Sequence, residues 1–345
     1  MSADDRWIAG VEDAARAVLP SAVSTFIAAG ARQQVTAGEA ERAWRRWRLV
    51  PRVLNDVSAV NTATTLLGQD FATPIGVAPT SMQRAVDSEG ELAMARAASS
   101  CGAPHVVSSN AGFPFEQIGQ VGPWWLQLYL PHERELIRPL LDRAQESGAR
   151  AVVLTVDTPV PGPKYAVDDH DWVDIDTSWF RSNLPAELRA PWASDLTPAD
   201  LEWLSGVLEV PLVTKGVLSA QDAHRCVGAG AAAVWVSNHG GRQLDRAWST
   251  AAALPGVIEA VGELAEVYVD GGIRSGADAL TALALGARAV FVGRPTLWAL
   301  AAAGEGGVSR LLTGLTRQLS EDMRLAVVAD VAHCREVAAH THGCD

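Results

Sequence analysis

The sequence predicts an α/β fold, a (β/α)8 TIM barrel with an N-terminal helical cap and an irregular insertion after strand 4. Short apolar segments alternate with helical segments from about residue 74 to residue 300, as in parallel βα repeats. The apolar segments are hydrophobic on both sides of their two-residue period, which is typical of strands covered on both faces. The chain has 345 residues, of which 48% are hydrophobic, so it can build a substantial core.

Eight apolar segments are the candidate strands of this barrel. In chain order they are Pro74–Ala78, Pro104–Ser108, Trp124–Leu128, Ala151–Thr155, Pro211–Thr214, Ala232–Ser237, Val267–Asp270 and Ala289–Val292. The segments between them show the period of amphipathic helices, most clearly at 89–98 and 278–285.

The remaining segments are expected to surround the barrel core, 74–303, within a single domain, 1–345. Residues 1–73 are predicted as a mainly helical cap and residues 304–345 as C-terminal helices. Residues 165–201 are rich in Asp, Trp and Pro and show neither period, which indicates a lid-like insertion after strand four. Tryptophans in and near it either anchor the insertion on the barrel or line the active-site entrance; they are Trp172, Trp179, Trp192 and Trp203.

Charge and cysteine content bound the partners and the location. A formal net charge of −12 argues against nucleic acid or an anionic membrane as the main partner. The cysteines lack metal-ligand spacing and are expected to be free thiols in a reducing compartment; they are Cys101, Cys226, Cys334 and Cys344. The N-terminus carries no apolar signal segment and no stretch is long enough to span a bilayer, so we expect a cytoplasmic protein. Because the cysteines lack ligand spacing, we expect no metal site.

In such a barrel the active site lies at the C-terminal ends of the strands. Polar residues and glycines follow the predicted strands, so the fold would gather them at one face. They are Thr80, Ser81, Ser108, Gln127, Tyr129, Thr155, Asp157, Lys215, His239, Arg242, Asp270, Gly271, Arg274, Gly293 and Arg294.

The segment 234–245 places two chemically useful side chains after the sixth strand. His239 can move a proton near neutral pH, and Arg242 can hold a carboxylate with its planar fork. Gly240 and Gly241 allow the backbone to approach a ligand closely. A base beside a carboxylate clamp suits chemistry at the carbon next to a carboxylate.

Two glycine-rich turns after the last two strands predict a phosphate site, which these barrels usually form there. The backbone N–H groups of Gly271, Gly272 and Gly293 can reach phosphate oxygens, and a helix N-terminus favours the negative charge. Arg274 and Arg294 can add charge-assisted hydrogen bonds.

The phosphate is expected to belong to a mononucleotide. The chain lacks the GxGxxG loop of dinucleotide sites and also lacks a P-loop, so flavin mononucleotide (FMN) fits better than NAD or ATP. Ser108, Gln127 and Thr155 could bond the polar edge of the flavin. Lys215 either stabilises the negative charge near N1 of a reduced flavin or is a solvated surface lysine.

These residues also carry a resemblance. The chain resembles the FMN-dependent 2-hydroxy acid oxidases and dehydrogenases, whose members act on glycolate, lactate or mandelate. The matching motifs extend over nearly the whole chain; they are PIGVAPTSMQ (74–83), GELA (90–93), WLQLY (125–129), TVDTP (155–159), KG (215–216), SNHGGRQLD (237–245), DGGIR (270–274) and GRP (293–295).

The resemblance implies oxidation of a 2-hydroxy acid to the 2-oxo product, and a role for each site residue. His239 is implied as the base, Asp157 as its partner and Arg242 as the anchor of the substrate carboxylate. Tyr129 would bond near the reacting centre, and Lys215 would support the reduced flavin. The residues implied to surround FMN are Pro79, Thr80, Ser81, Ser108, Gln127, Thr155, Lys215, Ser237, His239, Gly240, Arg242, Asp270, Gly271, Gly272, Arg274, Gly293 and Arg294. A homo-oligomer, a tetramer in many relatives, is implied as well.

Two departures from the family pattern affect substrate binding. The family usually has an arginine where this chain has Lys164, which keeps the charge but loses the fork. It has a tyrosine where this chain has Phe26, and losing such a donor to a charged group costs about 1.5–3 kcal/mol. Either the substrate is atypical (aromatic, bulky, or with its carboxylate masked as an ester or amide), or Arg242 and Lys164 suffice for an ordinary hydroxy acid.

Two further positions also differ from many relatives. Asn110 stands where they carry an aromatic residue, and it either forms a wall of the substrate pocket or caps the local backbone. Ser81 replaces a smaller residue expected near flavin N5, and it either bonds the flavin or fills space. Oxygen and other electron acceptors therefore both stay open, as do hydride and carbanion mechanisms.

Two other functions stay open as alternatives. An FMN-dependent isomerase or nucleotide dehydrogenase would share the barrel and the phosphate loops, but it does not require the His239 and Arg242 pair together with the TVDTP motif. A non-catalytic FMN-binding relative would explain the altered anchors, but it has no need of the retained His239, Asp157 and Lys215.

Overall fold

The computed structural model describes residues 2–168, 175–189 and 192–341. Three helices form the front of the cap, namely α1 (Ala3–Arg16), α2 (Ser21–Ala28) and α3 (Val35–Trp44). The first begins with a capping box, in which the Ser2 hydroxyl accepts from the Asp5 N–H and the Asp5 carboxylate accepts from the Ser2 N–H. This reciprocal pair satisfies two backbone donors that the helix itself cannot use.

The cap also contains short strands beside its helices. They are β1 (Trp47–Val50) and the antiparallel pair β2 (Thr64–Leu66) and β3 (Gln69–Phe71). Strand β1 pairs with a strand at the other end of the described chain, Ala338–Thr341. The sequence had predicted a helical C-terminal tail, and this strand corrects that prediction. Each of these strands is three or four residues long and contains polar residues, so no apolar run of the kind that marks the barrel strands reveals it.

Eight parallel strands form one barrel. They are β4 (Ile75–Val77), β5 (Val106–Ser108), β6 (Trp124–Leu128), β7 (Ala149–Thr155), β8 (Leu212–Val217), β9 (Ala233–Val236), β10 (Glu266–Val269) and β11 (Ala289–Val292). Successive strands from β5 to β11 pair with one another, and β11 pairs with β4. A parallel bridge between Val77 and His105 completes the circle. The predicted (β/α)8 barrel is confirmed.

A helix follows each strand of the barrel. These helices are α4 (Gly90–Ser100), α5 (Phe115–Gly119), α6 (Arg138–Glu146), α7 (Pro198–Val207), α8 (Ala220–Gly228), α9 (Thr250–Val261), α10 (Gly276–Ala284) and α11 (Arg294–Leu325). Strand β8 continues past its predicted end at Thr214, because Gly216 is absorbed as an irregularity in the pairing with β9. Lys215 therefore lies within the strand.

Aromatic side chains fill the inside of the barrel. They are Trp125, Trp235, Tyr268 and Phe291, all fully buried. The ring centroids of Trp235 and Phe291 are 4.0 Å apart. Leu66 and Phe71, from the β2–β3 pair, pack against this layer. Because the interior is filled, a ligand of the barrel binds at its mouth, where the loops after the strands meet, and not inside it.

The insertion after β7 is attached to the barrel by polar and apolar contacts. Asn183 accepts from the Phe115 N–H at 3.1 Å and donates to the Phe113 carbonyl at 2.8 Å. Leu184 and Leu188 are buried in the main core. In its described part the insertion has one short 3₁₀ turn, Ala186–Arg189, ahead of α7.

The tryptophans of this region serve both of the suggested purposes. Trp179 is buried, and the Trp203 indole N–H donates to the Glu135 carboxylate, so both fit the anchoring role. Trp192 stacks on Tyr129, with ring centroids 5.0 Å apart, which fits the entrance role. Trp172 lies outside the described residues.

The described residues contain neither a disulfide nor a helix that could span a membrane. Cys101, Cys226 and Cys334 are free thiols, and Cys344 lies outside the described range. No helix in that range is both long and apolar enough to cross a bilayer.

Candidate active site

A cleft of about 990 Å³, its open mouth included, lies at the C-terminal ends of the strands, within the size range of small-molecule sites. The predicted residues that line it are Phe26, Pro79, Thr80, Ser81, Ser108, Asn110, Gln127, Tyr129, Thr155, Lys215, His239, Gly240, Arg242, Asp270, Gly271, Gly272, Arg274, Gly293 and Arg294. Asp157, Lys164 and Ser237 do not line the cleft but lie beside residues that do.

His239 forms a pair with Asp157. Its Nδ1 lies 3.0 Å from Asp157 Oδ1. Because a carboxylate only accepts, Nδ1 carries the proton of the neutral imidazole and Nε2 is left as the acceptor. Asn238 fixes the turn around His239, since its side chain accepts from the Gly241 N–H. The site thus holds a histidine with one nitrogen ready to take a proton.

Asp157 is a buried carboxylate that stays ionised. Burial raises its pKa, but attraction to His239, their hydrogen bond and the charge of Lys215 outweigh this effect and leave the pKa below its ordinary value. A Cβ on Gly216, which has φ +112°, would lie 2.6 Å from the Asp157 side chain. Glycine is therefore needed there for the carboxylate to reach His239.

Tyr129 supplies a hydroxyl at the same end of the cleft. Burial and the nearby Asp157 carboxylate raise its pKa above the ordinary value. The hydroxyl therefore keeps its proton at neutral pH and can donate a hydrogen bond to a ligand.

Lys215 is buried and held from two sides. Its Nζ donates to the Ser237 hydroxyl at 2.7 Å and lies 3.2 Å from Asp270 Oδ2. This geometry excludes the solvated surface lysine, because only 4% of Lys215 is exposed. Ser237 therefore acts on the cleft through Lys215 rather than by lining it.

Arg242 is fixed through one nitrogen. Its Nη1 donates to the carbonyls of Phe26 and Ala29, each at 2.7 Å, and its guanidinium lies 4.8 Å from the Phe26 ring centroid. Burial lowers its pKa to about 10, so it stays charged at neutral pH. Within the described residues its Nε and Nη2 make no hydrogen bond, which leaves two donors for an anionic ligand.

Lys164 lies in the loop beside Arg242. Its Nζ donates to the Gly162 carbonyl at 2.9 Å, and a Cβ on Gly162 would lie 2.3 Å from the Arg242 carbonyl oxygen. Burial and repulsion from Arg242 lower the pKa of Lys164 to about 8. Its charge at this position therefore depends on pH within the physiological range.

The other end of the cleft is strongly cationic. Arg294 is tied to the backbone by its three guanidinium nitrogens; its acceptors are the carbonyls of Ile27, Ala29 and Gly240. Burial, with repulsion from Arg242 and Arg274, lowers the pKa of Arg294 to about 9. Arg274 is paired with Glu41 at 3.1 Å. Buried cations held this close together favour binding of an anion.

The cleft also involves residues that the sequence did not predict. Apolar residues that complete the lining are Ile27, Ala78, Ile273, Phe291, Val292 and Leu297. The strand-end residues among them follow the same position rule as the polar ones. Arg181, which contacts Asn110, lies in the insertion, where no period or motif singles it out.

A model of the FMN-dependent dehydrogenase family matches residues 15–341. The chain belongs to this family. L-Lactate oxidase of Nostoc sp. is 40% identical over 91% of this chain and 92% of its own length. The 4-hydroxymandelate oxidase of Amycolatopsis orientalis is 39% identical over 96% and 97%. Human 2-hydroxyacid oxidase 1 is 37% identical over 94% and 92%.

Solved structures give the same result as the sequence relatives. A mandelate oxidase variant with (S)-mandelic acid matches with a TM-score of 0.92 at 38% identity, covering 97% of this chain and 98% of that one. Another variant of mandelate oxidase, with 2-hydroxy-phenylacetamide, matches with a TM-score of 0.91 at the same identity and coverage.

The cleft of this family member fits FMN. Helix α11 begins after Gly293 without a side-chain cap. Pro295 has no N–H and the Thr296 N–H donates to the Gly293 carbonyl, so the N–H groups of Gly293 and Arg294 are the ones that can bind phosphate. Gly271 and Gly272 have φ of +88° and +84°. Residues with a side chain rarely adopt such values, so the turn of this loop depends on glycine at both positions. Also in the cleft, the Gln127 amide donates to the Thr155 hydroxyl at 2.9 Å, which leaves the amide oxygen as an acceptor for a bound ligand.

Proposed function

We propose that the protein is an FMN-dependent oxidase of 2-hydroxy acids that takes an aromatic or bulky substrate and tolerates a masked carboxylate. Membership of the FMN-dependent dehydrogenase family and relatives named as 2-hydroxy acid oxidases support the oxidation itself. The observation that carries the substrate proposal is the weakened carboxylate pocket, in which Phe26 has no hydroxyl and Lys164 replaces a fork by a titratable amine.

The proposed roles follow from the contacts of each side chain. His239 Nε2 takes the proton of the substrate hydroxyl, and Asp157 holds the ring and stabilises the imidazolium that results. Arg242 holds the carboxyl end through Nε and Nη2, and the Tyr129 hydroxyl donates to an oxygen of the substrate.

FMN, when bound, would supply the acceptor for the α-hydrogen of the substrate together with its two electrons. Lys215 would place a buried positive charge beside it. Arg274, Arg294 and the N-terminus of α11 would hold its phosphate.

Several relatives support the substrate class. The 4-hydroxymandelate oxidase and the mandelate oxidase structures are named for aromatic hydroxy acids, and one mandelate oxidase variant was solved with an amide. Oxygen is the proposed acceptor because these relatives are named oxidases, and peroxide release with and without a dye acceptor tests it. The cytoplasmic location and the homo-oligomeric, tetrameric state stay predictions from the sequence.

An anaerobic screen for flavin bleaching tests the proposal. The panel contains mandelate, mandelamide, methyl mandelate, lactate and glycolate. We expect mandelate and at least one masked derivative to reduce the flavin faster than glycolate. Glycolate as the best substrate, with the amide and ester inert, would overturn the substrate class.

His239→Gln is the matched variant for this screen. It keeps a hydrogen-bonding side chain but cannot act as the base, so the rate of flavin reduction should fall about 10²–10⁴-fold. FMN content, read from the absorbance ratio, should stay unchanged. Full activity in this variant would rule out His239 as the base.

A further inference from the structure

Asn110 lies across the cleft from the proposed base. It follows β5, whereas His239 and Arg242 follow β9. In the circular order of eight strands, β5 and β9 are four places apart, so their loops face each other across the mouth. A substrate held by its carboxyl end at Arg242 therefore extends its side chain toward Asn110.

The orientation of the Asn110 amide is fixed by its partner. Arg181 Nε donates to Asn110 Oδ1 at 3.1 Å, and the Arg181 N–H also donates to the Asn110 carbonyl at 3.5 Å. A guanidinium has no acceptor, so only the amide oxygen can face it. The amide cannot be flipped without losing this bond, and Nδ2 is turned elsewhere.

Asn110 Nδ2 has no hydrogen-bond partner among the described residues, although only 8% of Asn110 is exposed and its side chain lines the cleft. The donor is open to the cleft, so a ligand with an acceptor can bond it, whereas an apolar group in the same place would displace water from it without replacing the hydrogen bond. Among the described residues no backbone carbonyl accepts from Nδ2, so this donor does not cap the local backbone.

Arg181 is itself held in place by aromatic contacts. Its guanidinium lies 4.9 Å from the Trp192 ring centroid and 5.1 Å from that of Phe180. Trp192 in turn stacks on Tyr129 at 5.0 Å with an interplanar angle of 21°. The insertion therefore presents a rigid support behind the amide rather than a single flexible contact.

We propose that Asn110 is a specificity-determining residue, whose Nδ2 donates to an oxygen on the side chain of the substrate, and that Arg181 is the positioning residue that orients it. The substrate is then a 2-hydroxy acid with a side chain that carries an ether, hydroxyl or carbonyl oxygen. This inference rests on the proposed function, since it names the substrate class of the same site.

Matched substrates test the donor. Methoxymandelate and ethylmandelate, each substituted at the meta or para position, have nearly the same shape, but only the first has an acceptor. We expect the wild type to prefer one methoxy compound over its ethyl partner by about ten-fold in kcat/KM. In Asn110→Leu the methoxy-to-ethyl ratio of kcat/KM should fall to about one.

Variants of Arg181 test the positioning role. Arg181→Leu frees the amide to rotate, so the methoxy preference should fall. Arg181→Lys, which can still donate to Oδ1, should restore it. A purely structural role of Arg181 would lower the rates with all substrates together and leave the methoxy-to-ethyl ratio unchanged, which would overturn this part of the proposal.

Binding of the corresponding 2-oxo acids separates this inference from the proposed function. Dissociation constants of methoxy- and ethyl-benzoylformate, measured by the change in flavin absorbance, need no turnover. If no hydroxy acid bleaches the flavin, the proposed function fails, yet a methoxy preference lost in Asn110→Leu still supports the donor. Equal or tighter binding of the ethyl compounds at both ring positions would overturn it.

Discussion

Lys164 gives the carboxylate pocket a charge that titrates near neutral pH. Burial and Arg242 lower its pKa to about 8, so Lys164 is charged below that pH and becomes neutral above it. A bound carboxylate stabilises the charged form of Lys164. The free enzyme therefore loses the Lys164 charge at a lower pH than the substrate complex does. We expect kcat/KM for mandelate to fall by about ten-fold as the pH rises from about 7 to 10.

Two comparisons isolate the Lys164 effect from other titrations. Lys164→Arg should keep its charge through this range and show a flatter profile. Mandelamide, which has no negative charge to hold, should show little dependence in the wild type. The same fall in the arginine variant would assign the titration to another group.

Phe26 marks the second change in the pocket. Its ring centroid lies 4.8 Å from the Arg242 guanidinium. A hydroxyl added at the tip of this ring could therefore donate to a substrate carboxylate that Arg242 holds. Phe26→Tyr should raise kcat/KM for mandelate about ten-fold or more, as a donor to a charged group contributes about 1.5–3 kcal/mol. The ratio of mandelate to methyl mandelate is the measurement, and an unchanged ratio would contradict the reading of Phe26 as a lost donor.

At the scale of single residues, the sequence predicts which side chains reach the site, from their positions at strand ends. It does not predict which residues those side chains contact. His239 and Lys215 could be found because strand ends converge on one face of a barrel. The bond of Arg181 to Asn110 spans 71 positions, and that of Arg242 to the Phe26 carbonyl spans 216. Such contacts depend on the completed fold, so no local pattern reveals them.

At the scale of elements, the β2–β3 pair packs against the aromatic layer inside the barrel. Leu66 is fully buried there, whereas its neighbour Thr65 is exposed. Leu66→Ala should lower the free energy of unfolding by about 2–5 kcal/mol, because it leaves a cavity that the rigid barrel cannot fill. Thr65→Ala, the control, should change it little.

Urea denaturation measures both of these variants. The kcat of correctly folded, FMN-loaded Leu66→Ala should equal that of the wild type, because the β2–β3 pair contacts the beginnings of β10 and β11, at the opposite end of the barrel from the cleft. A large fall in kcat with unchanged stability would contradict this separation of support and chemistry.

The same elements mark where sequence patterns fail. The barrel strands lie in apolar runs that alternate with amphipathic helical segments, so their type and order were predictable. Strand β1 has only four residues and pairs with Ala338–Thr341, nearly the whole chain away. Its pairing exists only because α11 and the tail return to the cap.

The whole molecule combines an acidic surface with a cationic cleft. The net charge is −12, yet Arg242, Arg274 and Arg294 lie partly buried around one cleft, and the repulsion of Arg294 by the other two opposes folding without an anion. An anion that binds only the folded state stabilises it by mass action, by about 2.7 kcal/mol at a concentration 100 times its dissociation constant.

We therefore expect protein stripped of FMN to melt at a lower temperature than the loaded protein, and inorganic phosphate to restore part of the difference. Arg294→Met should abolish most of the phosphate-dependent rise, whatever it does to the starting Tm, because the charge at the phosphate end is reduced. Arg225→Met, which removes an exposed pair with Asp222, should leave the rise unchanged. An equal rise in both variants would mean that phosphate acts on the surface, and the cationic end of the cleft would then not be where the anion binds.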